Sequence, residues 1–156
     1  AYRLSYQGKL AGHMPFYMMP FLYNTAPNYT RDGLGGNFTV RGVMRNRIVG
    51  EDYFYCNFET RFKLFRTVIF NQNFYMALSS FIDAGMVTRP YKINTTNVPA
   101  ENLGWVDHEK ETLHATYGGG TRFVLNDNFI LAIDAGRPFN KNDGSMGLYI
   151  FLNWLF

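Results

Sequence analysis

Residues 53–64, YFYCNFETRFKL, decide the fold. Phe54, Cys56, Phe58, Thr60, Phe62 and Leu64 fall on one side of an extended chain, and Tyr53, Tyr55, Asn57, Glu59, Arg61 and Lys63 on the other. A period of two marks a β-strand whose two faces meet different surroundings. The first side carries no charge, so it meets something apolar along its whole length.

The same two-faced pattern recurs. Residues 2–10 set Tyr2, Leu4, Tyr6 and Leu10 against Arg3, Ser5, Gln7 and Lys9. Residues 74–85 oppose Phe74, Met76, Leu78 and Ile82 to Tyr75, Ser79 and Asp83. Residues 113–125 oppose Leu113, Tyr117, Phe123 and Leu125 to His114, Thr116 and Arg122, and residues 129–136 oppose Phe129, Leu131, Ile133 and Ala135 to Asp134. The last segment, 148–156, puts Leu148, Ile150, Leu152, Trp154 and Phe156 on one face. Residues 15–23 are apolar without alternating, and Pro20 disfavours a ladder position there. Counted as a strand nonetheless, they bring the expected total to about seven.

Hydrophobic residues make up 47% and aromatics 18% of the chain, yet no run approaches the ~18 apolar residues of a spanning helix. Two architectures accommodate so much dispersed apolar surface. A soluble β-sandwich wets one face of each sheet, and that face is rich in Lys and Glu. A membrane barrel turns its apolar face to lipid and its polar face to an enclosed lumen. The polar faces here mix Tyr, Ser, Thr and Gly with few charges, which favours the lumen. The expected fold is therefore all-β, an antiparallel transmembrane β-barrel.

The connections point the same way. Short segments (12–14, 67–73, 126–128) alternate with longer ones (24–51, 88–112, 138–146), as short periplasmic turns alternate with external loops in outer-membrane barrels. With the last strand ending in the periplasm, counting back seven strands places Ala1 outside the cell. Single-chain barrels have even strand numbers and begin inside. Residues 1–156 are thus expected to be the C-terminal portion of a larger barrel of about 16 strands, with external loops at 24–51 and 88–112. No signal peptide precedes the first strand, so an export signal is expected to have been upstream or removed.

Other chemistries find little support. Arg31, Arg41, Arg45 and Arg47 form a basic cluster, but it lies in a glycine-rich loop without a recognition helix, and no nucleic-acid partner is expected. The single Cys56 cannot form an internal disulfide or a metal site alone. His108, Glu109 and His114 lack the H-E-x-x-H spacing of a zinc pair. Gly118, Gly119 and Gly120 lack the lysine and helix of a phosphate cradle, and Ser145 lacks a strand–elbow–helix setting. No catalytic residue, metal or cofactor is expected in this segment.

Three motifs in order carry a family resemblance. Residues 35–42, GGNFTVRG, precede a strand bearing Glu59 and Arg61; residues 81–85, FIDAG, follow; the chain closes on Trp154, Leu155 and Phe156. Together they resemble the barrel end of the BamA–TamA–TpsB superfamily, also described as the bacterial surface antigen domain. The resemblance spans the whole chain. It implies a loop, residues 24–51, that folds back into the lumen and sets Arg41 on Asp83, with Glu59 as a second acceptor. Gly36 and Gly42 would shape the loop, and Phe81 and Gly85 would flank Asp83 in the F-x-D-x-G strand. It implies that Leu148, Ile150, Leu152, Trp154 and Phe156 form a seam strand with a terminal assembly signal. Val43 stands where the family usually has an aromatic residue, and Phe151 where barrel signals often have glycine.

The function so implied is a factor that inserts or translocates other proteins at the outer membrane of a Gram-negative bacterium. Its partners would be outer-membrane lipid, the barrel assembly machinery and client outer-membrane or secreted proteins. One alternative is a barrel that anchors an upstream enzyme, a patatin-like lipase or phosphoesterase. Another is an autonomous barrel of eight strands, with residues 37–49 supplying the eighth.

Overall fold

A computed structural model describes residues 1–23, 29–92, 94, 96–105 and 111–153. Eight strands form in chain order: β1 (Tyr2–Gln7), β2 (Leu22–Tyr23), β3 (Tyr29–Thr30), β4 (Asp52–Ile69), β5 (Gln72–Arg89), β6 (His114–Leu125), β7 (Phe129–Pro138) and β8 (Gly147–Leu152). Six of them build one antiparallel sheet in the order β1-β4-β5-β6-β7-β8, while β2 and β3 pair only with each other. The sheet is open, with β1 and β8 at its edges. Among the described residues, no helix is long and apolar enough to cross a membrane.

Two tight turns follow from local chemistry. Phe70 and Asn71, both at positive φ, reverse the chain between β4 and β5, the backbone twist that suits a two-residue hairpin. Asn126 and Asp127 do the same between β6 and β7. The long connections, 8–51 and 90–113, and the shorter 139–146 therefore share the opposite end of the sheet.

The main-sheet strand count differs from expectation. Residues 15–23 do not pair beside β1; Phe16–Met18 form a 3₁₀ turn and β1 pairs directly with β4, Tyr2 opposite Phe58 and Gln7 opposite Tyr53. Proline at 15 and 20 and the lack of alternation explain why this stretch packs as a cap, burying Met19 and Leu22. The main sheet has six strands, not seven. The start of β1 consequently lies toward the short-turn end rather than among the long connections, which removes the parity reasoning for upstream strands. Residues 37–49 form turns and bends, with one isolated bridge (Leu34 to Ile48), so they supply no ladder strand.

The hairpin strands β4 and β5 also run past their expected ends. Register shifts between Lys63 and Phe65, so Leu64 is a bulge, and both Leu64 and Phe65 stay exposed on the apolar side. A bulge breaks strict alternation without ending the strand.

Each cross-strand pair shares a face. Tyr2, Phe58, Ile82, Tyr117 and Arg137 form one such row across five strands. That outer face exposes Leu4, Tyr6, Phe58, Phe62, Leu78, Ile82, Leu148, Ile150 and Leu152. On the opposite, inner face lies the segment 31–50. Leu22, Leu34, Val40, Val43 and Ile48 meet Tyr53, Tyr55 and Val87 there in the apolar core.

Candidate functional site

The inner face buries charge beneath the 31–50 loop. Arg41, Glu59, Asp83, Arg122 and Asp134 are all fully shielded from solvent. Isolated buried charge is costly, so each of these groups needs partners. Arg41 meets that need from three strands at once. Its Nε and Nη2 donate to Asp83 Oδ2 and Oδ1 at 2.8 and 3.0 Å, a bidentate fork on β5. Its Nη1 donates to Glu59 Oε2 on β4 at 2.9 Å and to Asp134 Oδ2 on β7 at 2.8 Å. The planar guanidinium is suited to holding carboxylates in several directions at once.

The backbone joins in. The Arg41 N–H donates to Asp83 Oδ2 at 3.1 Å, and the Gly42 N–H donates to the Tyr149 hydroxyl of β8 at 2.8 Å. Phe81 points inward and lays its ring under the Arg41 guanidinium, 3.4 Å from centroid to Cζ, a cation–π contact. Burial opposes the charge on Arg41, but its hydrogen bonds to Asp83 and the charges of Asp83, Asp134 and Glu59 outweigh it, so its pKa is raised. Arg41 is a fixed cation.

The acids are shared with two further arginines. Arg122 of β6 pairs with Asp134, its Nη2 lying 3.0 Å from Oδ2, and approaches Glu59 Oε1 at 3.7 Å. Arg61 Nε donates to Glu59 Oε1 at 2.9 Å. Three cations thus balance three carboxylates. Phe151, at the position where the family resemblance suggested glycine, places its ring 5.4 Å from the Arg122 guanidinium.

Backbone approach decides where glycine stands. Gly42 has φ +99, and a Cβ there would lie 2.8 Å from the Gly136 carbonyl carbon of β7. Loop and wall therefore touch backbone to backbone at that point. Gly36, also buried, closes the loop's own turn by donating to Val43 O at 3.1 Å. Gly85 is packed beneath Leu34 and Val40. The loop is tied down further by Asn57 Nδ2 to Thr39 O at 2.6 Å, Arg3 Nε to Asn57 Oδ1 at 2.9 Å, and Met44 N to Asp143 O at 3.0 Å.

The structure thus brings together Arg41, Asp83, Glu59, Phe81 and Gly42, with Gly36 and Gly85 in the loop's own packing. Leu148, Ile150 and Leu152 stand apart, on the outer face of β8. Trp154 and Phe156 lie outside the described residues, as do His108 and Glu109. Asp134 and Arg122 were not foreseen as site residues. Their signal was present in the hairpin: the 126–128 turn sets Gly120 opposite Asp134 and Arg122 opposite Ala132, which makes the charges diagonal neighbours.

Nothing in this constellation resembles a nucleophile with a base. Gly118, Gly119 and Gly120 lie within β6, and Ser145 in the β7–β8 connection. His114 is held between Asp143 (Nδ1, 2.8 Å) and Glu111 (Nε2, 3.0 Å). Among the described residues, no group of His, Cys, Asp and Glu is arranged to hold a metal ion. The arrangement is a mechanical clamp: a loop fixed to five strands through its arginine, its glycine and its backbone. No family model, curated protein or solved structure matches the chain.

Proposed function

We propose that this chain forms wall of a membrane-embedded β-barrel of the outer-membrane type, with the 31–50 loop clamped inside, and that the barrel inserts or translocates other proteins. One observation carries the membrane reading. Among the described strand residues of the main sheet, apart from the Asp52–Arg89 pair at the irregular end of β4 and β5, the outer face holds a single charge, Arg137, while the inner face buries five, Arg3, Glu59, Asp83, Arg122 and Asp134. Water would reward the reverse distribution, whereas lipid outside and an enclosed interior reward this one.

Protein insertion rests on the family resemblance and on the geometry of one edge. β8 pairs with β7 over six residues, Leu131 to Gly136, and offers its other edge unpaired among the described residues. An exposed edge is a template for an incoming strand. The Arg41 clamp stiffens the wall beside that edge through Tyr149, so opening and loop position are coupled. The open sheet closes, in this reading, with strands beyond the six. Lipid, the assembly machinery and client barrel proteins are the partners, and the outer membrane of a Gram-negative bacterium is the location.

Two measurements test the proposal. Single cysteines at Phe58, Leu78 and Ile150, in a Cys56→Ser background, should react in vesicles with a membrane-soluble maleimide and resist a water-soluble one. Equal reaction with both would end the membrane reading. Vesicles carrying the full chain should then speed folding of an unrelated eight-stranded client barrel over empty vesicles. An unchanged client rate would leave a barrel without the insertion role.

A further inference from the structure

The outer face of β7 runs Phe129, Leu131, Ile133 and Ala135 before it meets its first charge, Arg137. Arg137 stands opposite Tyr117 in the ladder, and the Tyr117 ring contacts Phe139 at 4.9 Å. Lys141 follows one turn later in the β7–β8 connection. These four side chains, with Pro138 and Met146, line an open hollow of about 780 Å³. Tyr117, Phe139 and Met146 are exposed there, as are Arg137 and Lys141. Neither cation has a carboxylate within ion-pair distance among the described residues. Glu111 and Asp143 are both engaged by His114.

Two cations beside two aromatic rings, placed where an apolar band ends, form a recognisable chemistry. Aromatic side chains favour the boundary between hydrocarbon and headgroups, and basic side chains just beyond it attract anionic headgroups. An ordinary exposed Arg–Lys pair would gain nothing from the rings or from the charge-free face below. Here the apolar face would hold acyl chains and the hollow would hold the group attached to them. We infer that the hollow of Tyr117, Arg137, Phe139 and Lys141 is a binding site for the phosphate headgroup of a membrane lipid. The inference rests on the membrane reading above and adds a ligand class to it.

The test uses the full chain in neutral detergent micelles, with phosphatidic acid and phosphatidylcholine offered in turn and bound lipid counted by native mass spectrometry. Phosphatidic acid should be retained in preference, and Arg137→Ala with Lys141→Ala should weaken retention by roughly tenfold to thirtyfold, from about fivefold per cation lost near a lipid surface. Both residues are exposed, and the cysteine-labelling pattern of the outer face should be unchanged. Arg47→Ala with Lys92→Ala removes the same charge elsewhere and should leave retention intact. Equal loss in that control, or equal retention of the two lipids, overturns the headgroup site while the membrane reading stands. Displacement by millimolar inorganic phosphate identifies a free-anion site and also overturns it. Failure of the outer-face cysteines to react with the membrane-soluble reagent sinks both.

Discussion

The two faces of β4 and β5 are built from alternate residues of the same two strands, yet they obey opposite rules. On the outer face Phe58, Phe62, Leu78 and Ile82 lie open. On the inner face Glu59 and Asp83, one position along from Phe58 and Ile82, are wholly enclosed. A period of two separates these environments by the thickness of a single backbone. The difference teaches that burial and polarity are independent here: the enclosed side is held by directed charge pairs beside an apolar core, the open side by nothing within the chain. Each face should therefore fail under a different substitution and in a different solvent.

The largest effect falls on the enclosed side. Arg41→Ala leaves Glu59, Asp83 and Asp134 without their shared cation and should cost about 3–5 kcal/mol of the clamped state. Trypsin cutting after Arg45 and Arg47, both in the loop, should accelerate accordingly. The exchange Arg41→Asp with Asp83→Arg should recover part of the loss; if single and double variants behave alike, the pair does not hold the loop. Next in size is the open face. Phe58→Arg should cost about 2–4 kcal/mol for a wall folded in lipid, as read from unfolding in vesicles. In water the same change would be close to neutral, so a neutral result breaks the comparison at its root.

How far the sequence led differs between these faces. The outer face was legible because alternation over 53–63 is uninterrupted, and composition forbade a spanning helix. Alternation failed at Leu64, where the bulge puts two successive residues on one side. It failed again over 15–23, where the stretch counted as a strand forms a 3₁₀ turn and the two-residue β2, outside the main sheet, and buries Met19 and Leu22. On the inner face, Arg41 and Asp83 are 42 positions apart. No local rule joins them, and only the family motif suggested the contact. Asp134 is more distant still, and its link to Arg41 depends on how the sheet brings β7 toward β4 and β5. Such long-range meetings are set by register across several strands, which a single sequence does not display.

Between the faces, the backbone contact at Gly42 gives a smaller effect. Gly42→Ala forces a side chain into φ +99 and against Gly136, for about 1–3 kcal/mol. Because the Gly42 N–H also bonds Tyr149, the variant should loosen β8 as well as the loop. Hydrogen exchange would show this as faster exchange at Gly42 together with Leu148–Phe151. Faster exchange in the loop alone would mean that the clamp and the edge strand are uncoupled.

The smallest effect separates charge from packing within the enclosed face itself. Phe81 lays its ring against the Arg41 guanidinium in this cluster of ions. Phe81→Leu keeps most of the bulk and removes the ring's quadrupole, so it should cost about 0.5–2 kcal/mol if the ring acts on the cation. Packing alone would produce a loss of similar size, so the single variant does not discriminate. The same change made in an Arg41→Met background does. With the cation gone, a ring that served as its partner has less to lose, and the cost of Phe81→Leu should shrink by at least half. A cost that stays the same in both backgrounds would make Phe81 a piece of apolar core that happens to sit among charges. The enclosed face would then be held by ion pairs and filling separately, rather than by one aromatic-seated arginine.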